Sequence, residues 1–270
     1  MTKLIALDLD RTLLNSAKEI SPRNEQVLKQ LHRQGMKIVL CTGRPLNAIR
    51  HYLKQLGLDE AEDYTINFNG GSVTHNRTNT FLFQRGLTKQ TLAPLNEFVM
   101  AQQLPLDILD FQQVFEIATG QPSLYRQTVK GITFSDVKFA ELDPDHLYSK
   151  AVLAIDPAKM ATVKAAALAT ATLTANFTIV QSQPHILEFL PKGLNKAIGL
   201  QALVDHFGWT MADVMAFGDA DNDKEMLMAA GDGVVMANGL PAVKAMADHE
   251  TLTNDEDGVA VYLERTLLAH

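Results

Sequence analysis

Cysteine is almost missing from this 270-residue chain, with Cys41 the single example. One thiol excludes an internal disulfide and a cysteine-built metal site. At the end of an apolar run, Cys41 reads as a small buried residue and not as a nucleophile. Long apolar runs are missing too. No stretch approaches the roughly eighteen apolar residues of a membrane span, and Asp8 and Asp10 interrupt the first apolar run too early for a signal peptide. Basic charge is short: 24 Lys plus Arg stand against 31 Asp plus Glu, a net charge of −7, which disfavours nucleic-acid binding. The eight histidines show no paired metal-ligand spacing, and no solenoid-type repeat is present. No G-x-G-x-x-G follows the first apolar run, so a nucleotide-cofactor oxidoreductase is disfavoured. The expectation is a soluble, cytoplasmic protein with no nucleic-acid or membrane partner, either a monomer or a weak homo-oligomer.

What is present is an ordinary globular balance, 46% apolar and 20% charged, on a chain long enough for one large or two smaller domains. The run Leu4-Ile5-Ala6-Leu7 leads directly into Asp8-Leu9-Asp10-Arg11-Thr12. Short apolar runs of this kind suit strands buried on both faces of a parallel sheet. Residues i and i+2 of an extended chain point the same way, so Asp8 and Asp10 would share one small space and call for a compensating cation. Alone, the pair could equally begin a solvated loop.

The chain then alternates. Ser21-Pro22 opens a helix that Gly35 ends, and Lys37-Ile38-Val39-Leu40-Cys41 is a second strand running into Thr42-Gly43-Arg44-Pro45. A helix closed by Gly57 precedes a third parallel strand at 65–69, ending at Gly70-Gly71. Strand–helix alternation with short connections predicts a parallel sheet wrapped by helices. A hairpin is expected at 72–75 and 81–84. Between about 87 and 190 the rhythm changes, with helices near 90–103 and 157–169 and strands near 114–118, 150–155, 178–183 and 185–190. The Ala/Thr-rich stretch 165–175 reads as a solvated helix end. The opening rhythm returns with Lys192-Gly193-Leu194-Asn195-Lys196, a strand at 214–218 ending in Asp219-Ala220-Asp221-Asn222-Asp223, a strand at 233–236, and closing helices from Pro241 and Gly258. The expected fold class is α/β: a Rossmann-like parallel-sheet core at 1–84 and 190–270, with an inserted α+β domain at 85–189.

Three apolar strands thus end in Asp8/Asp10, Thr42/Gly43 and Asp219/Asn222/Asp223. Open parallel sheets bind ligands outside the carboxyl ends of their strands, so these clusters should converge. Carboxylates without imidazole or thiolate favour magnesium over zinc. Thr42 and Gly43 before a helix offer a hydroxyl and N–H groups to an anion. Lys196 could oppose developing phosphoryl charge, though lysines at helix starts are usually solvated; Asn222 could donate to the same anion. One aspartate could attack phosphorus while the other exchanges protons. Asp8, nearer the strand, fits the nucleophile and Asp10 the acid and base, an order that geometry favours without forcing.

The motifs Asp8-Leu9-Asp10-Arg11-Thr12, Thr42-Gly43-Arg44-Pro45, Lys192-Gly193-Leu194-Asn195-Lys196 and Gly218-Asp219-Ala220-Asp221-Asn222-Asp223, with Asn69-Gly70-Gly71 and Asn254-Asp255-Glu256-Asp257-Gly258-Val259-Ala260, resemble the haloacid dehalogenase-like phosphatases of the Cof-type, sugar-phosphate branch. The resemblance implies that Asp8 is the nucleophile and that Asp10 is the acid/base. It implies a magnesium ion held by Asp8, Asp219 and the Asp10 main-chain carbonyl. Leu9 (through its N–H), Thr42, Gly43, Lys196 and Asn222 would hold the phosphate, and Asp223 would support the metal from behind its ligands. The middle block would be a mobile cap that selects a small phosphorylated metabolite. Two residues depart from the family pattern: Arg11 stands where glycine is usual, and Ala197 where glycine often follows the lysine. A phosphomutase on the same core, or a phospho-ligand binder disabled by Arg11, are the alternative functions.

Overall fold

The structure, a computed structural model, describes residues 2–129 and 132–268. Its contacts divide the chain into two compact units, Met1–Gln84 with Asn195–His270, and Arg85–Leu194.

In the first unit, β1 (Leu4–Leu7) is buried throughout. Helix α1 (Pro22–Arg33) starts where the Ser21 side chain accepts the Asn24 N–H, with Pro22 in the first turn. Strand β2 (Lys37–Leu40) pairs with β1 in parallel, and α2 (Leu46–Leu56) stops at Gly57, whose φ of 72° is left-handed. The next three strands are β3 (Tyr64–Asn67), β4 (Ser72–His75) and β5 (Phe81–Gln84). They form a separate antiparallel sheet in the order β3-β4-β5. The expected third parallel strand is therefore corrected: β3 meets β2's end through one isolated parallel bridge, Cys41 to Ile66. Phe68, Asn69 and Gly70 all take positive φ, and this turn sends the chain back as β4, which takes β3's ladder.

The second unit contains α3 (Lys89–Gln102), β6 (Leu106–Leu109), β7 (Gln113–Ile117), α4 (Tyr125–Thr128), β8 (Thr133–Val137), β9 (Lys150–Ala154), α5 (Pro157–Ala169), α6 (Ala171–Asn176), β10 (Phe177–Gln183) and β11 (Ile186–Pro191). Its mostly antiparallel sheet runs β10-β11-β9-β6-β7-β8. The expected boundary at 189/190 falls inside β11, whose pairing with β10 extends to Pro191, so the division lies after Leu194. The Ala/Thr-rich stretch is also corrected. It forms two helices that meet at Thr170, and Ala167 and Leu173 are fully buried in the unit's apolar core.

The chain completes the first unit with α7 (Lys196–His206), β12 (Val214–Gly218), α8 (Lys224–Ala229), β13 (Asp232–Met236), α9 (Pro241–Lys244), β14 (His249–Thr251) and α10 (Gly258–Leu263). The parallel sheet order is β14-β13-β12-β1-β2. Alternate residues enter opposite layers, as extended backbone requires. Ile5 and Leu7 join Leu28, Leu53 and Leu263 in one apolar cluster, while Leu4 and Ala6 join Leu203 and Met226 in another. Both faces are covered, which explains the unbroken apolar strands. Because β12, β1 and β2 are neighbours, Asp219, Asp8 and Thr42 leave the sheet side by side. Among the described residues, no helix is long and apolar enough to cross a membrane.

Candidate active site

Asp8 follows β1, and its N–H continues the ladder to the Phe217 carbonyl at 3.0 Å. Its carboxylate, 6% exposed, meets the fully buried Lys196. Lys196 opens α7, where the Asn195 side chain caps the helix by accepting the Ile198 N–H. Lys196 Nζ lies 2.5 Å from Asp8 Oδ1 and 2.6 Å from Asp223 Oδ1. Burial works against the ammonium charge, but Asp8 and Asp223 outweigh it and hold the Lys196 pKa above its ordinary value. Burial pushes the Asp8 carboxyl up to about 7, with Lys196 opposing and Asp223 and Asp219 adding to the rise.

Asp223 is tied in on both oxygens. Oδ1 takes Lys196, and Oδ2 accepts the N–H groups of Asp219 and Ala220 at 3.0 Å each. The closeness of that loop needs Gly218: a Cβ there would stand 2.5 Å from the Asp223 Cβ. Asp219 accepts from the Thr12 hydroxyl at 3.3 Å. Burial first, then Asp223, pushes its carboxyl up to about 6, against the nearby Arg11.

The Asp10 carboxylate takes different partners. Arg44 donates to both of its oxygens, from Nε at 2.9 Å and from its terminal nitrogen at 2.6 Å, and Lys18 Nζ adds a contact at 2.9 Å. Partial burial works against the charge, but Lys18 and Arg44 outweigh it and leave the Asp10 carboxyl below its usual range. Asp8, Asp219 and Asp223 have carboxylate oxygens within 4.8 Å of one another, a group that does not include Asp10.

A cavity of about 350 Å³ opens above these residues, lined by Asp8, Asp10, Thr42, Gly43, Asp219 and Asn222 among the expected site residues. Thr42 is buried, and its hydroxyl accepts the Arg44 N–H at 3.1 Å. Asn222 reaches across to Asn69 Oδ1 at 3.3 Å. Asn69 also stands 3.1 Å from where a Cβ on Gly43 would be, so the Thr42-Gly43 turn and the Asn222 turn meet on one asparagine. Leu9 is fully buried beneath the loop. Cys41 is buried as well, its thiol pushed up to about 12 by that burial first, which suits a structural residue.

The family described as haloacid dehalogenase-like hydrolase matches residues 5–263 of this sequence. The chain belongs to that family. It falls in the Cof-type branch and is a hydrolase. It is 31% identical to the 5-amino-6-(5-phospho-D-ribitylamino)uracil phosphatase YitU of Bacillus subtilis, covering 97% of this chain and 96% of that protein. A crystal structure of a haloacid dehalogenase-like hydrolase from Bacteroides thetaiotaomicron is 32% identical, covers 98% of this chain and 99% of its own, and superposes with a TM-score of 0.81. A subclass IIB sugar phosphatase, BT4131, is 25% identical with 98% of both chains covered and a TM-score of 0.73.

The donor set in this hydrolase fits a divalent cation. Three buried carboxylates face one buried ammonium, leaving excess negative charge in hard oxygen ligands. Asp223 already has both oxygens engaged, so Asp8 and Asp219 are the freer ligands.

Three residues in the site lay outside sequence reasoning. Arg44 was visible in its motif, but nothing in the spacing aims it at Asp10. Lys18 and Asn238 carry no local signal. Arg11 takes φ 67°, a left-handed conformation costing a non-glycine residue about 1–2 kcal/mol. Its carbonyl accepts from Asn238 Nδ2 at 2.8 Å, and its guanidinium returns a bond to the Asn238 carbonyl at 3.2 Å. Ala197, half-buried in the first turn of α7, fits without strain.

Proposed function

We propose that this chain is a magnesium-dependent phosphatase of small phosphorylated metabolites, sugar phosphates foremost, that works through an aspartyl-phosphate on Asp8. Membership of a hydrolase family makes it an enzyme, and relatives named as phosphatases of a phosphorylated ribityl compound and of sugars support a phosphoric monoester as the bond cleaved. The observation that carries the mechanism is Lys196 Nζ at 2.5 Å from Asp8. A buried ammonium there keeps a carboxylate available beside the cavity floor and supplies charge for the phosphoryl oxygens.

In the first step an Asp8 oxygen bonds to phosphorus while the phosphorus–oxygen bond to the leaving group breaks. The electron pair stays on the leaving oxygen, which takes the proton carried by Asp10. In the second step water attacks phosphorus, Asp10 takes a proton from it, and the bond to Asp8 breaks to release inorganic phosphate. Thr42, Gly43 and Asn222 hold the non-reacting oxygens. Magnesium, bound by Asp8, Asp219 and the Asp10 main-chain carbonyl, would neutralise phosphate charge so that an anionic carboxylate can approach it. Arg44 and Lys18 favour the ionised form of Asp10 in the structure, so its proposed role requires the carboxyl to leave these bonds and take a proton from solvent before it protonates the leaving oxygen. The Arg85–Leu194 unit is proposed as the substrate-selecting cap.

A panel of phosphorylated sugars, nucleotides and cofactors assayed with magnesium tests this reading. Release of inorganic phosphate that Asp8→Asn abolishes supports it and separates hydrolysis from mutase chemistry. Phosphate release that persists in Asp8→Asn overturns the mechanism, and no release from any member overturns the activity.

A further inference from the structure

Two guanidinium groups line the cavity, and they are used differently. Arg44 spends Nε and a terminal nitrogen on Asp10. Among the described residues, the Arg11 side chain makes one hydrogen bond, 3.2 Å to the Asn238 carbonyl. Its Nε stands 3.6 Å from Asp219 Oδ2, an ion pair beyond hydrogen-bond length. With its side chain 60% exposed, most of the five N–H donors of Arg11 have no partner among the described residues.

The local structure does not need this side chain. The stronger link to Asn238 runs through the Arg11 main-chain carbonyl, and glycine would provide the same carbonyl. Glycine would also take φ 67° without strain. A charged, left-handed residue kept where glycine would serve the backbone better, in the wall of a ligand cavity, is where strain marks function. On the phosphatase reading, Lys196 and the Thr42 and Asn222 turns serve the scissile phosphoryl group. A planar fork of free donors on the wall suits a second anion.

We propose that Arg11 selects phosphorylated substrates bearing a second anionic group, a carboxylate or a further phosphate, within a few bonds of the scissile phosphoryl group. The inference rests on the phosphatase reading and narrows its substrate class. In the structure Arg44 is bound to Asp10, which leaves Arg11 as the available guanidinium for an incoming substrate among the described residues of the cavity wall.

The test compares kcat/KM for phosphoglycolate and for ethylene glycol bisphosphate, each divided by that for ethyl phosphate, in the parent, Arg11→Gly and Arg11→Lys proteins. The parent should favour the two compounds that carry a second anionic group. Arg11→Gly should lower that ratio by about tenfold, the scale of a charge-assisted bidentate contact, and Arg11→Lys should keep part of it. A fall with phosphoglycolate alone identifies a carboxylate, and with the bisphosphate alone a second phosphate. A ratio unchanged by Arg11→Gly, or a parent that favours ethyl phosphate, overturns the inference. Calorimetric titration of the same compounds into Asp8→Asn and Asp8→Asn/Arg11→Gly proteins applies the same criterion to binding. If neither these compounds nor any member of the wider phosphorylated panel is hydrolysed but the binding preference depends on Arg11, the phosphatase reading fails and this inference stands.

Discussion

Lys196 and Asp8 are 188 positions apart and meet at 2.5 Å in a buried contact that also engages Asp223. Removing one member of such a set leaves the others charged and unpaired, which costs about 3–5 kcal/mol. Lys196→Met should therefore lower thermal stability markedly and cut turnover by on the order of a hundredfold or more, as loss of one charge-stabilising donor does. Parallel melting and rate measurements check this. A Lys196→Met protein with parent-like melting and rate contradicts the role given to the lysine.

Gly70 fixes where that lysine stands. Its φ is +94°, and a Cβ there would lie 2.0 Å from the Asn195 carbonyl, directly before Lys196. Gly70→Ala should destabilise the protein by about 2 kcal/mol or more, combining left-handed strain with a backbone clash. Turnover should fall with it, because relief of the clash moves the start of α7. Thermal melts and kcat of the purified variant decide the point; an unchanged rate in a stable variant would show that α7 tolerates the shift.

How much of this could be read in advance follows from the forces involved. Leu4–Leu7, Lys37–Leu40 and Val214–Gly218 were legible because a strand covered on both faces must be apolar throughout. Their carboxyl-terminal aspartates and threonine were legible for the same reason, since polar groups at such ends have one sheet edge to share. Lys196 was ambiguous, because its burial depends on Asp8 and Asp223, which only the folded chain brings to it. The pairing of β3 was misjudged because the turn at Phe68–Gly70, not the apolar run, sets which strand it meets. Strands β6, β8 and β14 carry no clear strand signal in the sequence. In β6, Asp107 breaks the apolar run yet is fully buried; β8 and β14 end their sheets, and a half-exposed end strand shows weak alternation. The clamp of Arg44 and Lys18 on Asp10 joins loops and leaves no periodic trace.

Asp107 gives the second unit a pH signature of its own. It is fully buried on β6 and accepts a hydrogen bond from the Ser123 hydroxyl; its other oxygen has no partner among the described residues. Burial raises its carboxyl from 3.8 to about 7, with Ser123 opposing. The folded state therefore holds a proton that the unfolded chain releases at lower pH. Stability from this group is complete below pH 3.8 and is lost as pH rises through about 7. At about 1.4 kcal/mol per pH unit the loss is at most about 4 kcal/mol. Asp107→Asn should flatten this fall, so that the variant gains on the parent in melting temperature between mildly acidic and mildly alkaline buffer. Parallel profiles for the two proteins would rule out the assignment.

The carboxylates of Asp8 and Asp219 make a metal prediction. Chelation should abolish turnover, and magnesium should restore it, while calcium, which prefers more ligands and a looser shell, should not. Magnesium should also raise the melting temperature of the parent by mass action on the folded state. That rise should disappear in Asp219→Asn. A magnesium-induced rise of equal size in Asp219→Asn would place the ion elsewhere.

The central claim is that Asp8 carries the phosphoryl group. The most direct measurement is acid quenching of the enzyme during turnover of a hydrolysed substrate, followed by peptide mass analysis across the first strand and its loop. A phosphoryl mass gain is expected on Asp8 that forms with substrate, disappears when substrate is exhausted, and is absent in Asp8→Asn. Active turnover with no phosphoryl group on Asp8, or with it on another residue, would contradict it.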